Sequence, residues 1–168
     1  MRQANSSAIL LLLMACSVSM STGGFPPQIR TVAVLPFENS TSDPTLAQDV
    51  NRAVREAVQS RLGLRPAAED QADAVVRGTV TRYDPDQPIA FQGSAAVSGR
   101  AAPVEVTKRQ VTITVDVEII DQKTGKPLWK GSNLSVQGEY DPGRETEGRR
   151  KALEKLVNSI VTGAQSQW

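Results

Sequence analysis

The chain has 168 residues, of which 39% are hydrophobic, 22% charged and only 4% aromatic, a composition that suits one modest globular domain and excludes a disordered polyampholyte or a polytopic membrane protein. Histidine is absent and Cys16 is the only cysteine, so disulfide frameworks, Cys/His zinc sites and His-dependent nucleophilic catalysis lack their parts. With 19 Lys+Arg against 18 Asp+Glu, there is none of the strong positive field of a nucleic-acid binder, and neither nucleic acid, metal nor cofactor is expected as a partner.

Residues 1–15, MRQANSSAILLLLMA, join a positive start to the apolar run Ala8–Met14, which is too short to cross a bilayer as a helix and reads as a secretion signal. The run ends in Leu13-Met14-Ala15-Cys16, the pattern of a bacterial lipobox: cleavage before Cys16 and acylation of its thiol would leave residues 16–168 on a lipid anchor. Each buried acyl methylene contributes about 0.8 kcal/mol, so several chains hold firmly. Ser17 stands where retention in the inner membrane wants Asp, which points to the outer membrane, facing the periplasm. Ser17–Gln28 is Ser/Gly-rich and then Pro-rich, a flexible tether of about 40 Å at full extension. The chain thus divides into a signal peptide (1–15), a lipidated cysteine with its tether (16–28) and a domain (29–168).

In the domain, Thr31–Phe37 is a short β-rich run closed by proline. Asp43-Pro44 supplies a helix N-cap with proline at the first helical position, and Leu46, Val50, Ala53, Val54, Ala57, Val58 and Leu62 follow at helical spacing until Gly63 and Pro66. Asp73–Tyr83 reads as a second strand, with Arg77, Thr79 and Thr81 on its polar face. Asp84–Lys108 is rich in Pro and Gly and predicts a weakly ordered insert. Gln110–Asp121 is the cleanest strand: Val111, Ile113, Val115, Val117 and Ile119 alternate with Thr112, Thr114, Asp116 and Glu118. Asp121–Lys126 is a hairpin turn leading into a fourth strand through Tyr140, whose apolar parity slips after Trp129 and so predicts a bulge.

Glu145–Ala164 is a second amphipathic helix, with Ala152, Leu153, Leu156, Val157, Ile160, Val161 and Ala164 on its stripe and Arg149, Arg150 and Lys151 on its wet side. The order βαβββα predicts an α+β two-layer sandwich, two helices on one face of a four-stranded mixed sheet and a Thr-rich face on the other. Asp116 and Glu118 share a strand face by alternation alone, which gives no reason to read them as a catalytic pair, and no catalysis is expected.

The segments TVAVLPFEN (31–39), ADAVVRGTVTRY (72–83), VTITVDVEI (111–119) and DQKTGKPLWK (121–130), behind a lipobox, resemble the LptE family of lipopolysaccharide-assembly lipoproteins. That resemblance implies a non-enzymatic protein seated inside the outer-membrane β-barrel of an LptD-like partner, helping the barrel fold and deliver lipopolysaccharide. The opening strand and the TGK-x-LW hairpin also resemble LpoB-type activators of peptidoglycan synthases, but the helix after the last strand suits LptE. A barrel lumen is polar, which makes Thr112, Thr114, Asp116 and Glu118 the candidate barrel-facing residues. Arg100, Lys108, Arg109 and Arg144 are the candidate contacts to lipopolysaccharide, whose phosphates guanidinium and ammonium groups bind.

Overall fold

The structure is a computed structural model that describes residues 25–93 and 104–167. Cys16 and the signal peptide, Arg100 and most of the expected tether lie outside the described residues. Of that tether, Phe25 packs half-buried against the core and Pro26 accepts a hydrogen bond from the Ile29 amide at 2.8 Å.

The elements run β1 (Thr31–Val34), β2 (Glu38–Asn39), α1 (Leu46–Ser60), β3 (Arg65–Pro66), a 3-10 turn at Glu69–Gln71, β4 (Ala74–Gln92), β5 (Glu105–Asp121), β6 (Pro127–Tyr140) and α2 (Glu145–Gln165). The sheet is mixed, as expected: β1 and β2 pair parallel to β4, while β4, β5 and β6 are antiparallel neighbours in the order β3-β1-β4-β5-β6. It has six strands rather than four. The additional two, β2 and β3, are two residues each, too short for any periodicity to announce them; they exist because β4 and β1 leave edge groups for passing backbone to bond.

The core lies on the face of β5 that carries Val111, Ile113, Val115, Val117 and Ile119, each at most 2% exposed. Leu46, Val50, Val54 and Val58 of α1 and Ala152, Leu156, Ile160 and Ala164 of α2 close over it. Trp129 is buried beneath α2 at Gly163, where a Cβ would come within 2.7 Å of the indole.

Three expectations need correction. First, the Asp84–Lys108 segment is no weakly ordered insert at its ends: β4 continues to Gln92 and β5 begins at Glu105, paired in register from Gln87↔Gln110 to Gln92↔Glu105 with several shifts. Pro85 and Pro88 are tolerated because β2 covers β4 only as far as Val80, leaving the outer edge beyond it without a partner that needs a proline N–H. Second, α1 starts at Leu46 with Thr45 at the N-cap and stops at Ser60. Asp43 still serves the helix start, since its Oδ1 accepts from the Thr45 and Leu46 amides at 2.9 and 3.2 Å, and Gly63 takes the positive φ of 66° that ends the turn. Third, Arg149 does not lie on the wet side of α2 but in a polar cluster beneath it.

The bulge expected in the last strand is present. The register of β6 on β5 shifts between Val115 and Val117, Asn133 adopts φ 54°, and its amide donates to Asp116 Oδ1 at 2.6 Å.

Candidate functional site

Two surfaces stand out: the sheet face turned away from the helices and the long β4–β5 hairpin. Alternation delivers the first without further design. With the odd positions of β5 in the core, the even ones emerge opposite them, and pairing brings Arg77 to Glu118, Thr79 to Asp116, Thr112 to Gln137 and Glu118 to Lys130. Arg77 donates to Glu118 Oε2 at 2.9 Å, and Thr79 Oγ1 donates to Glu38 Oε2 at 3.3 Å. The result is a band of opposed charges and hydroxyls with a shallow depression of about 510 Å³ lined by Glu38, Arg77, Thr79, Asp116, Glu118 and Lys130 among others.

Of the four candidate barrel-facing residues, Asp116 is exposed, Thr112 and Glu118 are half-buried, and Thr114 is only 6% exposed. Thr114 sits between Arg82 and Ser135, and its hydroxyl donates to Ser135 Oγ at 3.4 Å. The face is therefore presented by Arg77, Thr79, Asp116, Lys130 and Gln137 more than by the threonine at its middle.

The hairpin carries two of the basic candidates, Lys108 and Arg109. Lys108 pairs with Asp141 at 2.7 Å, Arg109 with Asp86, and Arg144 with Glu147 at 3.7 Å. The Lys108 ammonium is held charged above its ordinary range by its bond to Asp141, whose carboxyl is lowered in turn. The Asp86 carboxyl is lowered by donors on both sides, Arg109 and the Tyr140 hydroxyl at 3.0 Å. The structure thus gathers Lys108 and Arg109 at the base of one ribbon, each with a carboxylate, and leaves Arg144 apart at the start of α2.

A third cluster was not legible in the sequence. Arg149 pairs with Asp43 and with Asp49 at 3.2 Å, donates to the Tyr83 hydroxyl at 2.9 Å and stacks with its guanidinium carbon 5.0 Å from the Tyr83 ring centre. Burial opposes the charge on both Asp43 and Arg149. Hydrogen bonds from Thr45 and Arg149 nevertheless hold the Asp43 carboxyl below its ordinary value, and bonds to Tyr83 and Asp43 hold the guanidinium charged. This cluster ties α2 to the start of α1 and to β4. The exposed apolar residues of the hairpin, Ile89, Phe91 and Val104, were missed for another reason: the Pro- and Gly-rich setting hid the alternation of Ile89 with Phe91 and of Val104 with Val106.

Among the described residues no group of three or more acidic, Cys or His side chains could hold a metal ion, and no helix is long and apolar enough to cross a membrane. The described residues form a two-layer α+β domain with one face closed by helices, one open polar face and one projecting ribbon. The family model described as LptE, lipopolysaccharide-assembly, matches residues 29–163, and the chain belongs to that family, whose role is in lipopolysaccharide assembly. No curated protein matches the chain. Among solved structures, a protein from Xanthomonas campestris is 10% identical, with 86% of this chain and 91% of that one covered at a TM-score of 0.50. A protein from Chlamydia trachomatis is 8% identical (81% and 98% covered, TM-score 0.47), and the lipoprotein GNA1162 from Neisseria meningitidis is 17% identical (79% and 96% covered, TM-score 0.45). Identities this low concern the fold alone.

Proposed function

We propose that the protein is a lipoprotein of the outer membrane, anchored through Cys16 and facing the periplasm, that seats its domain in the lumen of an LptD-like β-barrel and assists both the assembly of that barrel and the passage of lipopolysaccharide through it. The observation that carries this reading is the open sheet face in a chain of the LptE family. An antiparallel face left uncovered by helices must be wetted or matched by polar groups, and the interior wall of a large outer-membrane barrel is polar. Arg77, Glu118, Lys130 and Asp116 supply both signs of charge, so they complement such a wall in register rather than by net attraction.

The reading places no chemistry in the domain. Its work is to fill, position and support.

Recovery of the tagged, full-length lipoprotein from outer membranes in mild detergent, followed by mass spectrometry, tests the partnership. One large β-barrel protein is expected in near-equal amount. A preparation that carries no barrel would overturn the reading.

A further inference from the structure

The sheet ends on β6, which pairs with β5 on one side and, among the described residues, with no strand on the other. An edge of 14 residues is a row of unpaired backbone donors and acceptors, which proteins blunt with proline, lysine, bulges or a covering element. The first half of β6 has these guards: Pro127 opens it, Lys130 follows, and the bulge at Asn133 breaks the register. The second half has none. From Val115↔Leu134 to Arg109↔Tyr140 the pairing runs without a shift, through Leu134-Ser135-Val136-Gln137-Gly138, a segment with no proline and no charge.

Two hydrogen bonds fix which groups of that segment face outward. Along an antiparallel pair, residues alternate between those bonded to the neighbour and those turned away from it. The Thr114 carbonyl oxygen accepts from Thr81 Oγ1 of β4 at 3.1 Å, so Thr114 turns its backbone from β6, and Ser135 opposite it turns its own to the free side. Glu139 has the same parity, and its carbonyl oxygen accepts from Lys151 Nζ of α2 at 3.1 Å. The N–H and C=O groups of Ser135 and Gln137 therefore stand open along the edge. α2 runs beside them: Ser135, Val136 and Gln137 with Lys155, Asn158 and Ser159 line a groove of about 530 Å³. A strand edge beside a helix is the arrangement in which an extended peptide adds to a sheet.

Charge selects the occupant. Lys155 is the one charged side chain lining the groove. The acids near it on α2 are engaged elsewhere, Glu154 with Arg150 and Glu147 with Lys151, and Glu139 projects from the opposite face of the sheet with Ser135 and Gln137. A second copy of this chain fits poorly, because two β6 edges paired about a twofold axis set both Lys155 ammonium groups on one side of the joined sheet, facing each other without an acid between them. A strand that brings a carboxylate fits.

We infer that the Leu134–Gly138 edge of β6 takes up an extended, acidic segment of a partner polypeptide as an additional strand, with a carboxylate of that segment on Lys155. This contact is separate from the one proposed for the open face, since it runs along the edge of the sheet. The test is photo-crosslinking in cells from a probe amino acid at Ser159 of the full-length protein, with the captured peptide mapped by mass spectrometry. An adduct with one short acidic segment of another protein is expected. Ser135→Pro removes an outward N–H that serves no bond to β5 and should weaken the adduct about tenfold, as the loss of one hydrogen bond implies. Lys155→Glu, which leaves the backbone untouched, should weaken it several-fold. Thermal unfolding of both full-length variants checks the fold; if Ser135→Pro does not fold, Lys155→Glu and the mapped peptide decide. No protein adduct, an adduct with a second copy, one spread over unrelated segments, or one equally strong in the folded variants would overturn the inference. Recovery of the barrel in mild detergent tests the plug reading independently of all these outcomes.

Discussion

Arg149 shows how much one side chain can decide. It sits in the second turn of α2, four positions from Glu145, and it reaches Asp43 and Asp49 of one segment and Tyr83 of another. Truncating it would leave the partly buried Asp43 carboxylate without its cation, while Asp49 keeps only its pair with Arg52 at 2.7 Å, a heavier penalty than the loss of a surface pair. Arg149→Met is expected to lower stability by about 2 kcal/mol, read as a shift of the urea midpoint, whereas Arg150→Met, whose pair with Glu154 is exposed on both sides, should shift it little. Tyr140 gives a prediction of opposite character. Burial, and then its hydrogen bond to Asp86, pushes the phenol up to about 12, against about 10 in the unfolded chain. The folded state thus holds this proton more tightly, so its contribution is complete below about pH 10 and is lost as the pH rises from there through the folded value. Denaturant midpoints measured across that window should fall with pH, and Tyr140→Phe should make the fall shallower. An equally steep fall in the variant would show that the phenol is not responsible.

At the scale of elements, the joint between α2 and β6 is the tightest in the fold. A Cβ on Gly138 would lie 1.9 Å from the Gly148 carbonyl oxygen, and one on Gly148 would meet the Tyr140 ring at 2.4 Å. Neither neighbour can yield, because one is backbone and the other is buried. Gly138→Ala is therefore expected to cost about 2–3 kcal/mol, at the upper end of overpacking, and thermal unfolding would measure it. Such a joint is invisible in the sequence, where both glycines look like ordinary breaks in a strand and a helix. What could be read were elements whose periodicity is strong and whose ends are marked. Five alternating apolar residues in β5 announced the central strand, the stripe from Leu46 to Val58 announced α1, and the parity slip after Trp129 announced the bulge that Asn133 and Asp116 hold. Elements stabilised only by tertiary context escaped. β2 and β3 have two residues each, and the outer half of the β4–β5 hairpin is a strand in spite of Pro85 and Pro88 because its unpaired edge makes proline harmless.

The whole molecule divides its surface by chemistry. Helices seal one face, the clasp of Asp73 on Arg30 and Thr31 fixes where the chain arrives, and the ribbon carries the apolar end away from that point. The polar face was legible in outline, since alternation assigns Thr112, Asp116 and Glu118 to it. Burial of Thr114 was not, because it depends on which residues the register of β4 and β6 sets beside it. Lys108 and Arg109 fared alike: their positions could be read, but not their pairing with Asp141 and Asp86, which brings residues distant in sequence together, whereas the pair of Arg144 with Glu147 is a local one within the first turn of α2. The central claim is that the open face meets the wall of a barrel. It is tested most directly by photo-crosslinking in the outer membrane from Gln137 and Lys130, both exposed on that face, with mass spectrometry of the adducts. One large β-barrel protein captured from both positions is the predicted result; capture of a peptidoglycan synthase, or of no barrel protein from either position, would contradict it.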